Sequence, residues 1–135
     1  MTVDKKYLHS DISDSVLKAF YVVRDSLPYE LSLDIYKRAL DLEMKDRGLV
    51  VVTDKEFKIK FKNKVIGSFF TDFIVNDAVI IIVIKNDKSC DPFVTDAKNR
   101  LRLTNYEVAM ILNFAADTIS YHKRVVLTND FKKIK

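Results

Sequence analysis

The 135-residue chain has one cysteine, two glycines, two prolines and no tryptophan, and these shortages close off several classes of protein. The lone Cys90 leaves no internal disulfide to form, in keeping with a reducing compartment. With neither His9 nor His122 near it in sequence, it reads as a small loop residue rather than a catalytic thiol. Two histidines and one cysteine give no zinc-site spacing, and no serine sits in a nucleophile context. Two isolated glycines exclude a phosphate-cradling loop and, with so little proline, leave no linker or low-complexity segment. The longest apolar run, Ala78 to Ile84, is far too short to span a bilayer, and the polar start MTVDKKYLHSD lacks the basic-then-apolar layout of a signal peptide. The expectation is a soluble, intracellular, cytoplasmic protein with no membrane partner and no small-molecule cofactor; association with a virion or a nucleoid stays open.

The hydrophobic share of 48% beside a charged share of 31% is that of a globular chain, long enough to bury a core without staples. One domain over 1–135 is expected, with residues 1–10 and 128–135 as flexible ends. A net charge of +4 is mildly basic. It favours polyanionic partners, although many solvated surfaces look the same.

Periodicity supplies the elements. From Asp11 to Ser26, Val16, Leu17, Phe20, Val23 and Leu27 recur at helical steps, with Ser10, Asp11 or Ser13 as caps. Pro28 ends that helix. A second helix is expected from about Glu30 to Arg47, burying Leu33, Tyr36 and Leu40 together with Ile35, Ala39 and Leu42, and Gly48 stops it. In Leu49–Lys62, Phe57, Ile59 and Phe61 alternate with Lys58, Lys60 and Lys62, which gives a strand with one apolar and one cationic face; Asn63-Lys64 would turn it into a hairpin. The lysine row could track phosphates, or it could simply guard a strand edge. After the loop NDKSCDPF, a helix capped by Thr95 or Asp96 reaches about Leu103, with Val94, Ala97 and Leu101 inward and Lys98 and Arg102 outward. Strands over Val108–Phe114 and Thr118–Leu127 follow, and then a lysine tail, Lys132, Lys133 and Lys135. The order ααβββαββ implies an α/β fold: a mixed sheet of about five strands flanked by helices.

The stretch Gly67–Lys85 organises the rest. It holds two strand-like runs about an Asn76-Asp77 turn, with Asp72 set in an apolar row and Lys85 closing the β-branched run. A carboxylate on one strand and a lysine at the end of the next, thirteen positions on, matches the spacing of the first acid and the lysine in PD-(D/E)XK metal nucleases. In such sites two carboxylates hold a divalent cation and the lysine positions water. Two residues before Lys85, where the second acid belongs, stands Val83.

From Val16 to Leu127 the chain resembles the GxxExxY family, a branch of the PD-(D/E)XK nuclease-like superfamily. AFYVVRDSLPYELSLDIYKRAL is similar to its opening helix pair, KDRGL to its helix end, FKIKFKNKVIGSFFTDFIVND to its hairpin, and VAMILNFA, with Leu112, Asn113 and Phe114, to its late strand. The resemblance implies a restriction-endonuclease-like core and a remnant motif of Asp72, Lys85 and Tyr36. The departures are Glu30 at the motif's glycine, Leu33 at its glutamate, Val83 at the second acid, and Lys98 where a glutamine faces the site.

A degenerate nuclease fold is therefore expected, without metal ligands and working as a binding or structural module with a protein partner or as a homo-oligomer. Asp72 would be satisfied by pairing with Lys85. DNA or RNA bound through Lys58, Lys60, Lys62, Lys98 and Arg102 is a second reading. A third is a Mg- or Mn-dependent DNA endonuclease whose lost ligands are supplied by Asp87, Asp77 or Glu30.

Overall fold

A computed structural model describes residues 8–132. Two helices, α1 (Ser10–Ser26) and α2 (Leu33–Asp46), precede strands β1 (Val51–Phe61), β2 (Lys64–Val75) and β3 (Val79–Ile84), helix α3 (Val94–Arg102), and strands β4 (Val108–Asn113) and β5 (His122–Val126). The sheet order is β1-β2-β3-β4-β5. Only β3 and β4 run parallel, because α3 carries the chain across between them; every other neighbouring pair is antiparallel. The expected order and the mixed five-stranded sheet are both present.

All six residues of β3, a continuous β-branched run, and all six of β4 are buried, as strands covered on both faces are. Alternation sends Val79, Ile81 and Val83 with Val108, Met110 and Leu112 toward α1 and α2, where Val16, Phe20, Tyr36, Leu40 and Met44 meet them. Ile80, Ile82 and Ile84 point the other way, onto Ala97 and Leu101 of α3 and onto Cys90. Asn113, fully buried, staples the strand ends. Its side-chain Oδ1 accepts from the Asn86 and Ala115 backbone amides, and its Nδ2 donates to the Asn86 and Ser120 carbonyls.

Several boundaries differ from expectation. Helix α2 buries Tyr36, Leu40 and Met44, whereas Ile35 and Leu42 are 45% and 66% exposed, because the band drifts with the 3.6-residue turn toward Met44. Gly48 stops α2 as expected, in the left-handed region at φ 81°, with the Leu49 amide donating back to the Met44 carbonyl. None of Ser10, Asp11 and Ser13 caps α1; His9 precedes it in a left-handed conformation. The hairpin turn is Lys62-Asn63, both at positive φ, rather than Asn63-Lys64. The last strand is shorter than Thr118–Leu127 because the chain from Ala115 to Tyr121 goes around the Asn113 staple. Of the ends expected to be flexible, residues 1–7 and 133–135, including Lys133 and Lys135, lie outside the described residues. The Lys132 ammonium donates to the Thr104 and Tyr106 carbonyls.

Candidate functional site

Strand β2 pairs with β3 only over Phe73–Val75, the outermost pair being Phe73 with Ile81. Asp72 is the next residue out, at the point where β2 leaves the ladder. Its Oδ2 accepts the Val83 amide at 2.8 Å, so a side chain satisfies the β3 donor that a β2 carbonyl no longer reaches. Strict alternation fails here. Phe69 and Thr71 meet Arg100 of α3, yet Asp72 and Phe73 both line a cavity with α2. Across the hairpin Asp54, at φ 51°, is likewise skipped in the pairing and lines the same cavity.

That cavity, about 330 Å³, lies between the hairpin and Asp34, Lys37, Arg38 and Asp41 of α2. The Lys37 ammonium reaches Asp72 Oδ1 at 2.9 Å, with side-chain exposures of 30% and 22%. This corrects the expected Asp72–Lys85 pair: Asp72 is held by Lys37. Lys85 instead approaches Glu30 at 3.5 Å and the Leu31 carbonyl at 3.4 Å, tying the end of β3 to the α1–α2 loop. Lys85 lines a different cavity, about 390 Å³, with Glu30, Asp87 and Asp117.

The fit to a divalent cation is poor. Val83 is 5% exposed inside the α1–α2 core cluster and offers no oxygen from its side chain. Asp72 spends one oxygen on an amide and the other on an ammonium. Asp41 turns its Oδ2 to Lys45 at 3.1 Å and leaves Oδ1 buried without a hydrogen-bond partner. Among the described residues, no three histidine, cysteine or acidic side chains gather where they could hold a metal ion. Of the acids weighed as replacements, Glu30 is paired with Lys85, Asp77 accepts the Tyr106 hydroxyl at 2.6 Å, and Asp87 lies beside Lys85.

Tyr36 is a core residue here, 3% exposed and stacked on Phe114 at 4.7 Å with rings 6° from parallel. Its hydroxyl donates to the Pro28 carbonyl at 2.6 Å and accepts the Leu31 amide, which fixes the loop between α1 and α2. Cys90 is buried, its amide donating to Ser120 Oγ, and burial pushes its thiol above the ordinary cysteine range. Lys98 is exposed on α3, on the opposite face of the sheet from α2, so the cation standing at Asp72 is Lys37.

Lys58, Lys60 and Lys62 are exposed on the outer half of the hairpin, beyond the reach of β3. From Lys55 to Thr71 this arm carries five lysines against one glutamate, a net +4 that equals the charge of the whole chain. Phe61, Val65, Ile66 and Phe70 are all more than half exposed on it. At its base Phe57 stacks on Phe69 at 5.3 Å and meets the Tyr106 edge, and Arg100 lies over Phe69 while donating to the Phe70 carbonyl at 2.7 Å. Arg102 and Lys55 share a groove of about 610 Å³ there.

Two contributors escaped the sequence reading. Lys37 follows Leu33 by one helical turn, so it emerges on the face where the motif's glutamate would stand; that spacing is the signal that could have found it. Arg100 carried no comparable signal. A family model described as the PD-(D/E)XK nuclease superfamily matches residues 10–125. No curated protein and no solved structure matches the chain.

Proposed function

The chain belongs to the PD-(D/E)XK nuclease superfamily, and from that premise we propose that it is a catalytically degenerate member, of the GxxExxY branch, acting as a non-enzymatic binding module inside the cell. The observation that carries this reading is the Lys37–Asp72 contact at 2.9 Å. An ammonium supplies to the first acid the positive charge that a divalent cation supplies in an active site. With Val83 in the second acid's slot, the carboxylate is satisfied by an amide and a lysine and has no need of metal. Asp72 then serves the fold, closing the gap where β2 leaves β3. Its partner in this reading is another protein or a second copy of the chain.

The test is a gain of function. K37A combined with V83E removes the internal cation and adds a carboxylate beside Asp72. Manganese should raise the melting temperature of that double variant and leave the wild type unmoved. Wild-type cleavage of plasmid with manganese, abolished by Asp72→Ala, would overturn the reading.

The concentration of the whole net charge on one exposed arm favours a second reading, that this arm holds nucleic acid through phosphate contacts. A two-stranded ribbon fits the major groove of a duplex. Neither reading requires chemistry at Asp72.

A further inference from the structure

Strand β1 is an edge of the sheet: it pairs with β2 on one side and, among the described residues, has no strand on the other. Its regular portion starts at Lys55, after left-handed Asp54, and continues to the Lys62-Asn63 turn. The irregularity between Ile59 and Lys60 adds its extra residue, Ile66, to β2, so β1 itself stays regular there. Such an edge is a template for a further strand unless something blocks it. A row of lysines alone would block it, but this row is of mixed sign.

We infer that β1 pairs antiparallel with the β1 of a second copy, about a two-fold axis through Phe57, to make one continuous sheet. A two-fold axis normal to the sheet keeps each face on its own side, so some residue must sit opposite its own copy, and only the choice of that residue is free. Centring on Glu56 sets two glutamates against each other, and centring on Lys55 or Lys58 does the same with lysines. Centring on Ile59 opposes Lys58 to Lys60. Only Phe57 leaves no like charges opposed: Glu56 then faces the copy's Lys58, and Lys58 the copy's Glu56. Both side chains lie on one face, since β2 sets Phe70 and Ser68 opposite them, while Phe57 joins its copy on the other. The pattern is complementary to itself and to one register, which is the reason for naming a second copy as the occupant. The inference is independent of whether Asp72 takes a metal.

Sedimentation equilibrium of the wild type, E56K, K58E and the E56K/K58E double variant tests it, with circular dichroism confirming that each is folded. The wild type should be a dimer. Either single reversal opposes like charges twice and should weaken association by roughly ten- to thirtyfold. The double reversal restores both pairs with their signs exchanged and should recover the dimer. A wild type that stays monomeric up to roughly 0.5 mM overturns the inference. Single reversals that do not change the mass, or a folded double variant that fails to recover, overturn it as well.

Discussion

Replacing Asp72 separates a structural carboxylate from a vacant metal ligand. In Asp72→Ala the Val83 amide, on a residue only 5% exposed, loses its acceptor. An orphaned buried donor costs about 1–3 kcal/mol. The Lys37 contact is also lost, and because both side chains keep a fifth to a third of their surface in water, solvent screening limits it to about 0.5–1 kcal/mol. The sum is about 1.5–4 kcal/mol, or roughly 5–14 °C in melting temperature for a domain of this size. Asp72→Asn keeps an oxygen for the amide and surrenders only the charge, so it should cost about 1 kcal/mol or less. Urea unfolding with an unchanged slope reads both values, and a cycle with Lys37→Met isolates the pair. A carboxylate held in readiness for metal would behave otherwise, its removal leaving stability level or raising it. An alanine variant as stable as the wild type, or an asparagine variant as damaged as the alanine one, refutes the reasoning.

Three further outcomes are expected. Tyr36→Phe removes the hydroxyl that ties Pro28 and Leu31 together but keeps the stack on Phe114, and should cost about 1 kcal/mol by urea unfolding. Burial, followed by donation to Asp77, raises the Tyr106 hydroxyl to about 12. The unfolded chain therefore loses this proton first, near pH 10, and stability should fall as pH rises from 10 toward 12. Tyr106→Phe should flatten that decline in unfolding measured across the interval. If the arm holds nucleic acid, exchanging Lys58, Lys60 and Lys62 for glutamine should weaken duplex binding and reduce the salt slope by roughly 2–3 units, and an unchanged slope would remove the second reading.

The layers of the fold were legible because β3 is an unbroken apolar run, β4 is apolar up to Asn113, and α1 keeps a clean helical period. Asp72 stood out as a charge inside an apolar row, and Val83 through the resemblance, as a valine where the motif has its second acid. The partner of Asp72 was not legible. Alternation assigns every second β2 residue to one face, but the strand departs from its neighbour at Asp72 and alternation lapses, which turns the carboxylate toward α2 and its lysine. Lys85 was misassigned for a related reason: the α1–α2 loop, fixed by the Tyr36 hydroxyl, brings Glu30 and the Leu31 carbonyl to it, and nothing in β-strand periodicity reports on a loop fifty residues earlier. The surface helix positions Ile35 and Leu42 look like core by hydrophobicity, and only the packing of α2 shows that Met44 takes that place.

The central claim is that a lysine, and not a metal ion, neutralises the first acid. Titrating the isotope-labelled wild type with manganese and following the Val83 amide resonance measures this at the atom concerned, because the paramagnetic ion broadens amides within its reach. The Val83 amide, bonded to Asp72, should stay sharp to millimolar manganese or broaden no faster than exposed amides elsewhere. Selective broadening that saturates well below that concentration and disappears in Asp72→Asn would contradict the account.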